Sequence, residues 1–134
     1  MEKRKYLLDT NICIFLLRKK HNVDEYIRKI GIDNCYISEI TVAELLYGAE
    51  CSSNIVLNLG LIKDFCNNIK IFKISDCLSV FAQEKAKLRK EGNIIDDFDL
   101  LIGSTAIFNN CILVTNNIKH LGRLQVPIEN WIKS

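Results

Sequence analysis

The sequence predicts a single α/β domain with a parallel sheet, extending over residues 1–134. Short apolar runs alternate with longer stretches of helical periodicity, which is the pattern of repeated strand–helix units. Only one proline and six scattered glycines are present, so no linker or domain boundary is visible. With 134 residues, of which 49% are hydrophobic and 25% charged, the chain can bury one core and is unlike a disordered protein.

The first third of the chain predicts a strand and two helices. The apolar run KYLL over residues 5–8 is short enough for a buried strand, and TNICIFLLRK over 10–19 starts a helix. Thr10 or Asn11 is a suitable N-cap for that helix. The periodic stretch DEYIRKIG over 24–31 predicts a second helix, which its final glycine ends.

The middle of the chain predicts two strands that enclose two helices. CYIS over residues 35–38 has the composition of a strand buried on both faces. EITVAELLYGAE over 39–50 and IVLNLGLIKDFC over 55–66 are helical in pattern, with turn residues between them. IKIFKI over 69–74 is the third strand.

The last part of the chain predicts two more helices and a fourth strand. A long amphipathic helix over residues 76–92 ends at a glycine, and a helix over 96–109 carries acids in its first turn. CILVT over 111–115 is the fourth strand, and LQVP with IENWIK closes the chain. We expect Trp131 to cover the edge of the sheet there.

The composition excludes several classes of protein. No apolar run reaches the roughly 18 residues that span a bilayer, and Asp9 interrupts the longest one, so a soluble cytoplasmic protein is expected. The formal net charge of +2 is not that of a strongly basic nucleic-acid binder. Basic residues cluster at 3–5, 18–20 and 85–90, as they commonly do on solvated helix faces.

The six cysteines and two histidines do not indicate a metal or catalytic site of their own. No C-x-x-C motif and no Cys/His pair at zinc spacing is present, so we expect buried thiols in a reducing compartment. His21 and His120 are expected to be surface or packing residues. No glycines form a G-x-G-x-x-G or Walker loop, which disfavours a mononucleotide-binding enzyme.

Acidic and amide side chains are placed where the strands of the predicted sheet end. Asp9 directly follows the first strand, and Asn116 and Asn117 directly follow the fourth. Glu44 lies in the helix after the second strand, and Asp99 lies in the first turn of the helix before the fourth. Since ligands of open parallel sheets bind outside the carboxyl ends of the strands, these side chains are expected at one edge of the domain.

Taken singly, most of these residues also have a purely structural interpretation. Asp9 suits a helix cap, Glu44 an exposed helix position, and TNN an ordinary turn. Asp96 and Asp97 suit the positive end of a helix dipole. Asp99 fits such a role least well, because it precedes the apolar run LLIGSTAI.

Taken together, the acids predict a cation site. Two like charges about 4 Å apart repel by roughly 4 kcal/mol at an effective dielectric constant near 20, and a whole domain has only about 5–15 kcal/mol of stability. Either the pKa values of the carboxyl groups rise or a cation lies among them. Oxygen donors without Cys or His favour Mg²⁺ or Mn²⁺ over zinc, and such a site suits phosphodiester hydrolysis.

Five segments also resemble a known family. LLDTNICIFLL, ISEITVAELLYGAE, GNIIDDFDLLIGSTAI, ILVTNN and IENW occur in the order found in PIN-domain ribonucleases, and particularly resemble the VapC toxins of bacterial toxin–antitoxin pairs. The resemblance covers essentially the whole chain. It implies a PIN-like three-layer α/β domain, with a central parallel sheet of about five strands flanked by helices. It also implies endoribonuclease activity that depends on Mg²⁺ or Mn²⁺.

The resemblance assigns roles to individual residues. Asp9, Glu44 and Asp99 correspond to the acids of the family's metal site. Asp9 and Asp99 would bind the metal directly or through water, and Glu44 would hold or polarise the attacking water. Asn117 occupies the family's fourth acidic position, where it can donate a carbonyl oxygen but no charge. Its presence puts a tightly held second metal in doubt.

Four further residues are expected to support this site without binding the metal directly. Thr10 and Asn11 belong to the same motif as Asp9 and would orient that carboxylate or a water. Asp97 matches the first acid of an I-x-D-x-D pattern in some members, and Asn116 belongs to the TNN corner. Gly103 and Ser104 keep their segment small, which is consistent with close packing.

The resemblance also implies partners. A cognate VapB-type antitoxin would place its C-terminal segment in the acidic groove, often through an inserted Arg or Lys. Structured RNA, with tRNA as the common target, would be the substrate, held by nearby Lys and Arg residues. A homodimer is usual in the family, and CIFLL (13–17) or IVLNLGLI (55–62) are candidate contacts, although either could be core.

Two other functions stay open on the sequence. Nothing in the sequence excludes a catalytically inactive PIN-like binding protein, and the asparagine at position 117 keeps that alternative open. A receiver-type phosphoacceptor domain would need an acidic pair after the first strand, an Asp after a central strand and a Lys after the last. The chain has DTN, IS and TNN at those corners, which makes this second alternative the weaker one.

Overall fold

The computed structural model describes residues 3–132 and has a five-stranded sheet in which every pairing is parallel. The strand order is β3-β2-β1-β4-β5, so the chain starts at the centre of the sheet and builds outward on both sides. This confirms the predicted fold class. The strands are β1 Tyr6–Leu8, β2 Cys35–Ser38, β3 Lys70–Phe72, β4 Ile112–Val114 and β5 Ile128–Glu129.

Seven α-helices connect these strands within the described part of the chain. They are α1 Thr10–Leu17, α2 Val23–Ile30, α3 Glu39–Glu50, α4 Ile55–Asn67, α5 Leu78–Glu91, α6 Asp97–Phe108 and α7 Ile118–Leu121. The helix predicted to begin at residue 76 begins at 78, because Ser75–Cys77 forms a 3₁₀ turn first. The four-residue helix α7 is too short to carry a periodic pattern, and the sequence did not predict it.

The sheet is the middle of three layers. Successive residues of a strand point to opposite faces, so Leu7 and Leu8 of β1 belong to two different hydrophobic clusters. The Leu8 cluster includes side chains of α1 to α4, and the Leu7 cluster includes side chains of α5 to α7. Trp131 does not cover the edge of the sheet. It lies in the Leu8 cluster, stacked on Tyr26 of α2 at a centroid distance of 5.0 Å.

Helix α1 begins at Thr10, so neither of the two predicted cap residues is its N-cap. Asp9 is the N-cap: its backbone is extended, and its carboxylate Oδ1 accepts a hydrogen bond from the backbone N–H of Thr10 at 2.8 Å. The Asp9 carbonyl already accepts from the N–H of Cys13 at 3.2 Å. Thr10 is therefore the first helical residue, and the expectation that Thr10 or Asn11 caps the helix was wrong.

The cysteines mostly match the expectation of buried thiols. All six thiols are free, and four of them are buried, namely Cys13, Cys35, Cys77 and Cys111. Burial raises the pKa of the Cys35 and Cys111 thiols to about 11, which keeps them protonated at neutral pH.

Over residues 3–132 the helices are too short or too polar for any of them to cross a membrane.

Gly103 allows α6 to pack closely against the segment that follows α7. A Cβ atom at this position would lie 2.3 Å from Cδ1 of Leu124, which is a buried side chain. This close approach confirms the packing expected for the GSTA segment. It also matters for function, because α6 carries Asp99 in its first turn.

We expect Gly103→Ala to lower the free energy of unfolding by about 1–3 kcal/mol, because Leu124 must move within a packed core. Gly60→Ala is the matched control, since its Cβ would meet no atom within 4 Å on the exposed side of α4. That control should raise stability by about 0.5–1 kcal/mol, the helix-propensity gain. Urea unfolding followed by circular dichroism measures both, and equal effects would show that Gly103 is not tightly packed.

Candidate active site

A cavity of about 590 Å³ opens at the carboxyl edge of the sheet and contains all four residues predicted to be catalytic. Asp9 follows β1, Glu44 lies on α3, Asp99 on α6, and Asn117 follows β4. Residues 18 to 108 positions apart in sequence thus come together through the sheet topology, as the strand-end argument predicts. The cavity is lined by Asp9, Thr10, Asn11, Ile14, Ala43, Glu44, Tyr47, Phe98, Asp99 and Asn117.

Asp9 is the most deeply buried carboxylate of the site, with only 4% of its surface exposed. The hydroxyl of Thr115 donates to its Oδ2 at 2.7 Å, and the N–H of Thr10 donates to its Oδ1 at 2.8 Å. Burial raises the pKa of Asp9, while these two hydrogen bonds act in the opposite direction. The sequence interpretation did not assign a role to Thr115, which it placed at the end of the fourth strand, where the TNN corner begins.

Glu44 is held by a chain of hydroxyl groups. Thr10 Oγ1 donates to Glu44 Oε1 at 2.6 Å and lies 3.0 Å from Thr41 Oγ1. A hydroxyl has one proton to donate, so with the Thr10 proton on Glu44, Thr41 must be the donor to Thr10. Thr41 is completely buried and was not identified from the sequence, although it lies three residues before Glu44 on the same face of α3.

Asp99 has the most strongly shifted carboxyl group of the cavity. Burial raises its pKa to about 6, and the neighbouring carboxylates of Asp9, Asp96 and Glu44 add to this rise. His120 acts in the opposite direction, so it lies near the site although it does not line the cavity. The side-chain amide of Asn117 donates to Asp99 Oδ2 at 3.2 Å.

Asp96 and Asp97 lie at the start of α6, outside the cavity lining. Asp96 is the N-cap and accepts from the N–H of Phe98 at 3.1 Å. Asp97 pairs with Lys85 of α5, with 2.9 Å between Oδ1 and Nζ and both side chains about half exposed. Among the described residues, Asp97 makes no contact that suggests a role in supporting the metal site. That role stays a prediction.

The other two supporting residues differ in position. Asn11 lines the cavity from the exposed side of α1. Asn116 is exposed and turned toward Asn130, with 3.5 Å between the side-chain amide groups. Asn116 therefore does not line the cavity, whereas its neighbour Asn117 does. Functional roles for both stay predictions.

The cavity is rich in negative charge and has no compensating side chain among the residues that line it. Three carboxyl groups lie there with neither Lys nor Arg. As positioned, no three Asp, Glu, His or Cys side chains of residues 3–132 form a ready-made metal cage. Mg²⁺ does not require such a cage, since it usually keeps several waters and uses only one or two protein carboxylates. The donor set therefore fits a hydrated divalent cation.

The sequence and the fold match known proteins over nearly their full length. The sequence profile of the PIN domain family matches residues 6–124. The chain is 36% identical over 134 residues to Ribonuclease VapC2 of Rickettsia felis, covering 96% of this chain and 98% of that protein. It is 31% identical over 132 residues to the tRNA(fMet)-specific endonuclease VapC of Salmonella typhimurium, covering 95% and 98%.

The structural match is equally extensive. The solved structure of VapBC2 from Rickettsia felis, bound to a DNA fragment from their promoter, gives a TM-score of 0.87 at 33% identity. That match covers 94% of this chain and 98% of the solved chain. The profile match, the two relatives and this solved structure agree. The chain belongs to the PIN domain family and, within it, groups with the VapC ribonucleases.

Proposed function

We propose that this protein is a divalent-metal-dependent endoribonuclease and the toxin of a toxin–antitoxin pair. The observation that carries the proposal is the cavity in which Asp9, Glu44 and Asp99 meet without a compensating cation. Its relatives are named ribonucleases, and one is named for tRNA(fMet), so we propose tRNA as the substrate class. An RNA substrate and six free thiols both fit the cytoplasm.

The site suits Mg²⁺ or Mn²⁺, which we propose as the cofactor. Asp9 and Asp99 would hold the ion, and Glu44 would contact it directly or through water. A bound ion of this kind supplies Lewis acidity, which lowers the pKa of water and offsets charge on the scissile phosphate. Burial is the main cause of the raised pKa of Asp99, and neutralising the cavity would remove the repulsion that adds to it.

The side chains of the site would position the reactants. Thr10 occupies Oε1 of Glu44, which leaves Oε2 to orient the attacking water or accept its proton. Thr115 and the N–H of Thr10 fix the two oxygens of Asp9, so this carboxylate needs little reorganisation when substrate binds. Asn117 restrains Asp99 through its amide group instead of adding a fourth charge.

We also propose the groove beside the cavity as the antitoxin-binding site. It lies between α1, α3 and α4, and Ile14 and Glu44 line both the groove and the acid cavity. A peptide segment could bury apolar side chains against Leu61 and insert a basic side chain among the carboxylates. Solved neighbours of this chain are VapBC complexes, which supports a VapB-type partner.

A second copy of the chain is the partner that we propose for the outer face of α4. Val56 is 84% exposed and Leu57 is 56% exposed, and neither lines the groove. Exposed aliphatic side chains that adjoin one another are typical of subunit contacts. Of the two segments considered for a homodimer, 13–17 is mostly turned into the core and the groove, so 55–62 is the better candidate.

We expect Asp9→Asn and Asp99→Asn each to reduce RNA cleavage by at least about 100-fold, because each removes a charge that would hold the cation. Cleavage of tRNA by purified protein, freed of bound antitoxin, measures this with Mg²⁺ or Mn²⁺ and again with EDTA. Asp64→Asn is the control, since Asp64 is exposed on α4, away from the cavity. Cleavage that persists in EDTA would contradict the proposal, and a folded wild type inactive on every RNA would favour a binding protein.

We expect the metal-free protein to lose stability as the pH rises from about 5.5 to about 7.5. The folded state holds the Asp99 proton with a pKa of about 6, above its value of roughly 3.9 in an unfolded chain. That stabilisation is present below the unfolded pKa and is lost as the pH rises through about 6. The melting temperature at the two pH values measures the effect.

The same titration makes cation binding pH-dependent. Mg²⁺ should raise the melting temperature more at the higher pH, where Asp99 is ionised. Asp99→Asn should flatten both the pH dependence and the Mg²⁺ effect, whereas Asp64→Asn should leave both as in the wild type. A Mg²⁺ effect that grows as the pH falls would contradict the assignment of Asp99.

A further inference from the structure

Helix α5 exposes a basic groove that the proposed catalytic site does not use. The groove has a volume of about 700 Å³, and Lys85, Arg89 and Lys90 provide its charged side chains. No carboxylate lines the groove, and two of its residues are alanines, whose small side chains leave space between the cations. The lining residues are Phe81, Ala82, Lys85, Ala86, Arg89 and Lys90. Among the described residues, Asp97 is the acid that pairs with one of these cations, Lys85. A shallow groove with cations on its rim suits an extended polyanion.

The packing of α5 against α6 places this groove beside the acid cavity. The thiol of Cys77 lies 3.5 Å from the hydroxyl of Thr105, and Lys85 pairs with Asp97. Residues 77 and 85 are eight positions apart, and so are residues 97 and 105. Because the start of one segment contacts the end of the other, the two helices run antiparallel over about 12 Å. Arg89 is one turn further along α5. Phe98, the residue after Asp97, lines the acid cavity, so the first turn of α6 lies between the groove and the cavity.

The other basic clusters are not placed in this way. Lys3 and Arg4 precede β1 and line a separate groove with Asn110, which precedes β4. These residues lie at the amino edge of the sheet, about 10 Å from the carboxyl edge, given the rise of a three-residue strand. Of residues 18–20, Arg18 lines the groove that shares Ile14 and Glu44 with the acid cavity, and that groove carries a carboxylate of its own. The α5 groove differs from both, because three cations and no carboxylate line it and it contacts the first turn of α6 through the Lys85–Asp97 pair.

We propose that the basic face of α5, formed by Lys85, Arg89 and Lys90, binds the phosphate backbone of the RNA strand that enters the acid cavity, and that Phe98 stacks on one of its bases. This inference rests on the proposed ribonuclease function. The cavity acids repel phosphates, and a formal net charge of +2 provides no general attraction for RNA. Substrate affinity must therefore come from cations close to the cavity.

The aromatic side chain of Phe98 lies next in sequence to Asp97, the partner of Lys85. It lines the acid cavity and is 48% exposed despite being aromatic. Exposed aromatic side chains next to a cationic groove are the combination that binds unpaired nucleotides, because every base has a face that can stack. The strand that passes Phe98 would therefore be single-stranded, such as the loop of a structured RNA.

The test measures RNA binding by fluorescence anisotropy, with a fluorescein-labelled RNA stem–loop and every variant made in an Asp9→Asn background to prevent cleavage. We expect Arg89→Ala/Lys90→Ala to weaken binding about 10-fold and to reduce the slope of log K against log salt by about 1.4, or about 0.7 per lost phosphate contact. Lys3→Ala/Arg4→Ala removes the same charge at the opposite edge and should leave the slope unchanged.

Two single variants test the remaining parts of the groove. Asp97→Asn releases Lys85 from its carboxylate partner and should tighten binding at low salt. Phe98→Ala should weaken binding of the stem–loop by about 5- to 100-fold, with a much smaller effect on a duplex RNA without a loop. Phe98→Tyr keeps an aromatic face and should restore the preference for the loop.

The outcomes separate this inference from the proposed function. If wild-type protein cleaves RNA but the α5 variant and the amino-edge control have equal salt slopes, the α5 face does not bind the substrate and only this inference fails. A lower melting temperature with an unchanged slope would mean that Arg89 and Lys90 merely stabilise the end of α5. Loss of antitoxin binding without loss of RNA binding would assign the face to the antitoxin. If the wild type neither binds nor cleaves RNA, both proposals fail.

Discussion

The buried carboxylate of Asp9 is the constraint on which the site depends. It ends the central strand of the sheet with only 4% of its surface exposed. Its backbone N–H donates to Val114 of the neighbouring strand at 2.9 Å, and its side chain accepts from Thr115, which follows that strand. Burying a charge is costly unless hydrogen bonds compensate it, so the position needs β1, β4 and the start of α1 to be in register. Correct folding of the sheet and assembly of the site are thus one requirement.

The same carboxylate sets the electrostatics of its surroundings. Asp99 lies near enough for Asp9 to raise its pKa, and its hydrogen-bond partner is the neutral amide of Asn117 rather than a cation. Glu44 adds a third acid that is restrained by Thr10. Hydrogen bonds from neutral donors fix these side chains without cancelling their charge. The carboxylates are therefore positioned by hydrogen bonds but not neutralised, and such a group of charges attracts a divalent cation or a basic side chain.

The sequence predicted this site through acids placed at strand ends, because the ends of parallel strands meet wherever the intervening helices lie. It could not predict contacts that depend on side-chain direction across elements far apart in sequence. Thr41 meets Thr10 over 31 positions, and the Lys85–Asp97 pair joins two helices at a level that only their packing defines. Asp9 shows a different limit: a cap and a proposed metal-site acid were weighed as alternatives, yet its two oxygens have different partners, and capping through one does not prevent the other role.

An acid cavity without its own cation also explains how such an enzyme can be controlled without a change of shape. A basic side chain inserted by an antitoxin and a divalent cation would be attracted by the same carboxylates. Two ligands that neutralise the same charges weaken each other's binding by the same factor, whichever binds first. An antitoxin in the groove that shares Ile14 and Glu44 with the cavity would thus oppose both metal and substrate. In the proposed function, the missing charge that would let the cavity hold its cation would also leave it open to inhibition by a basic side chain.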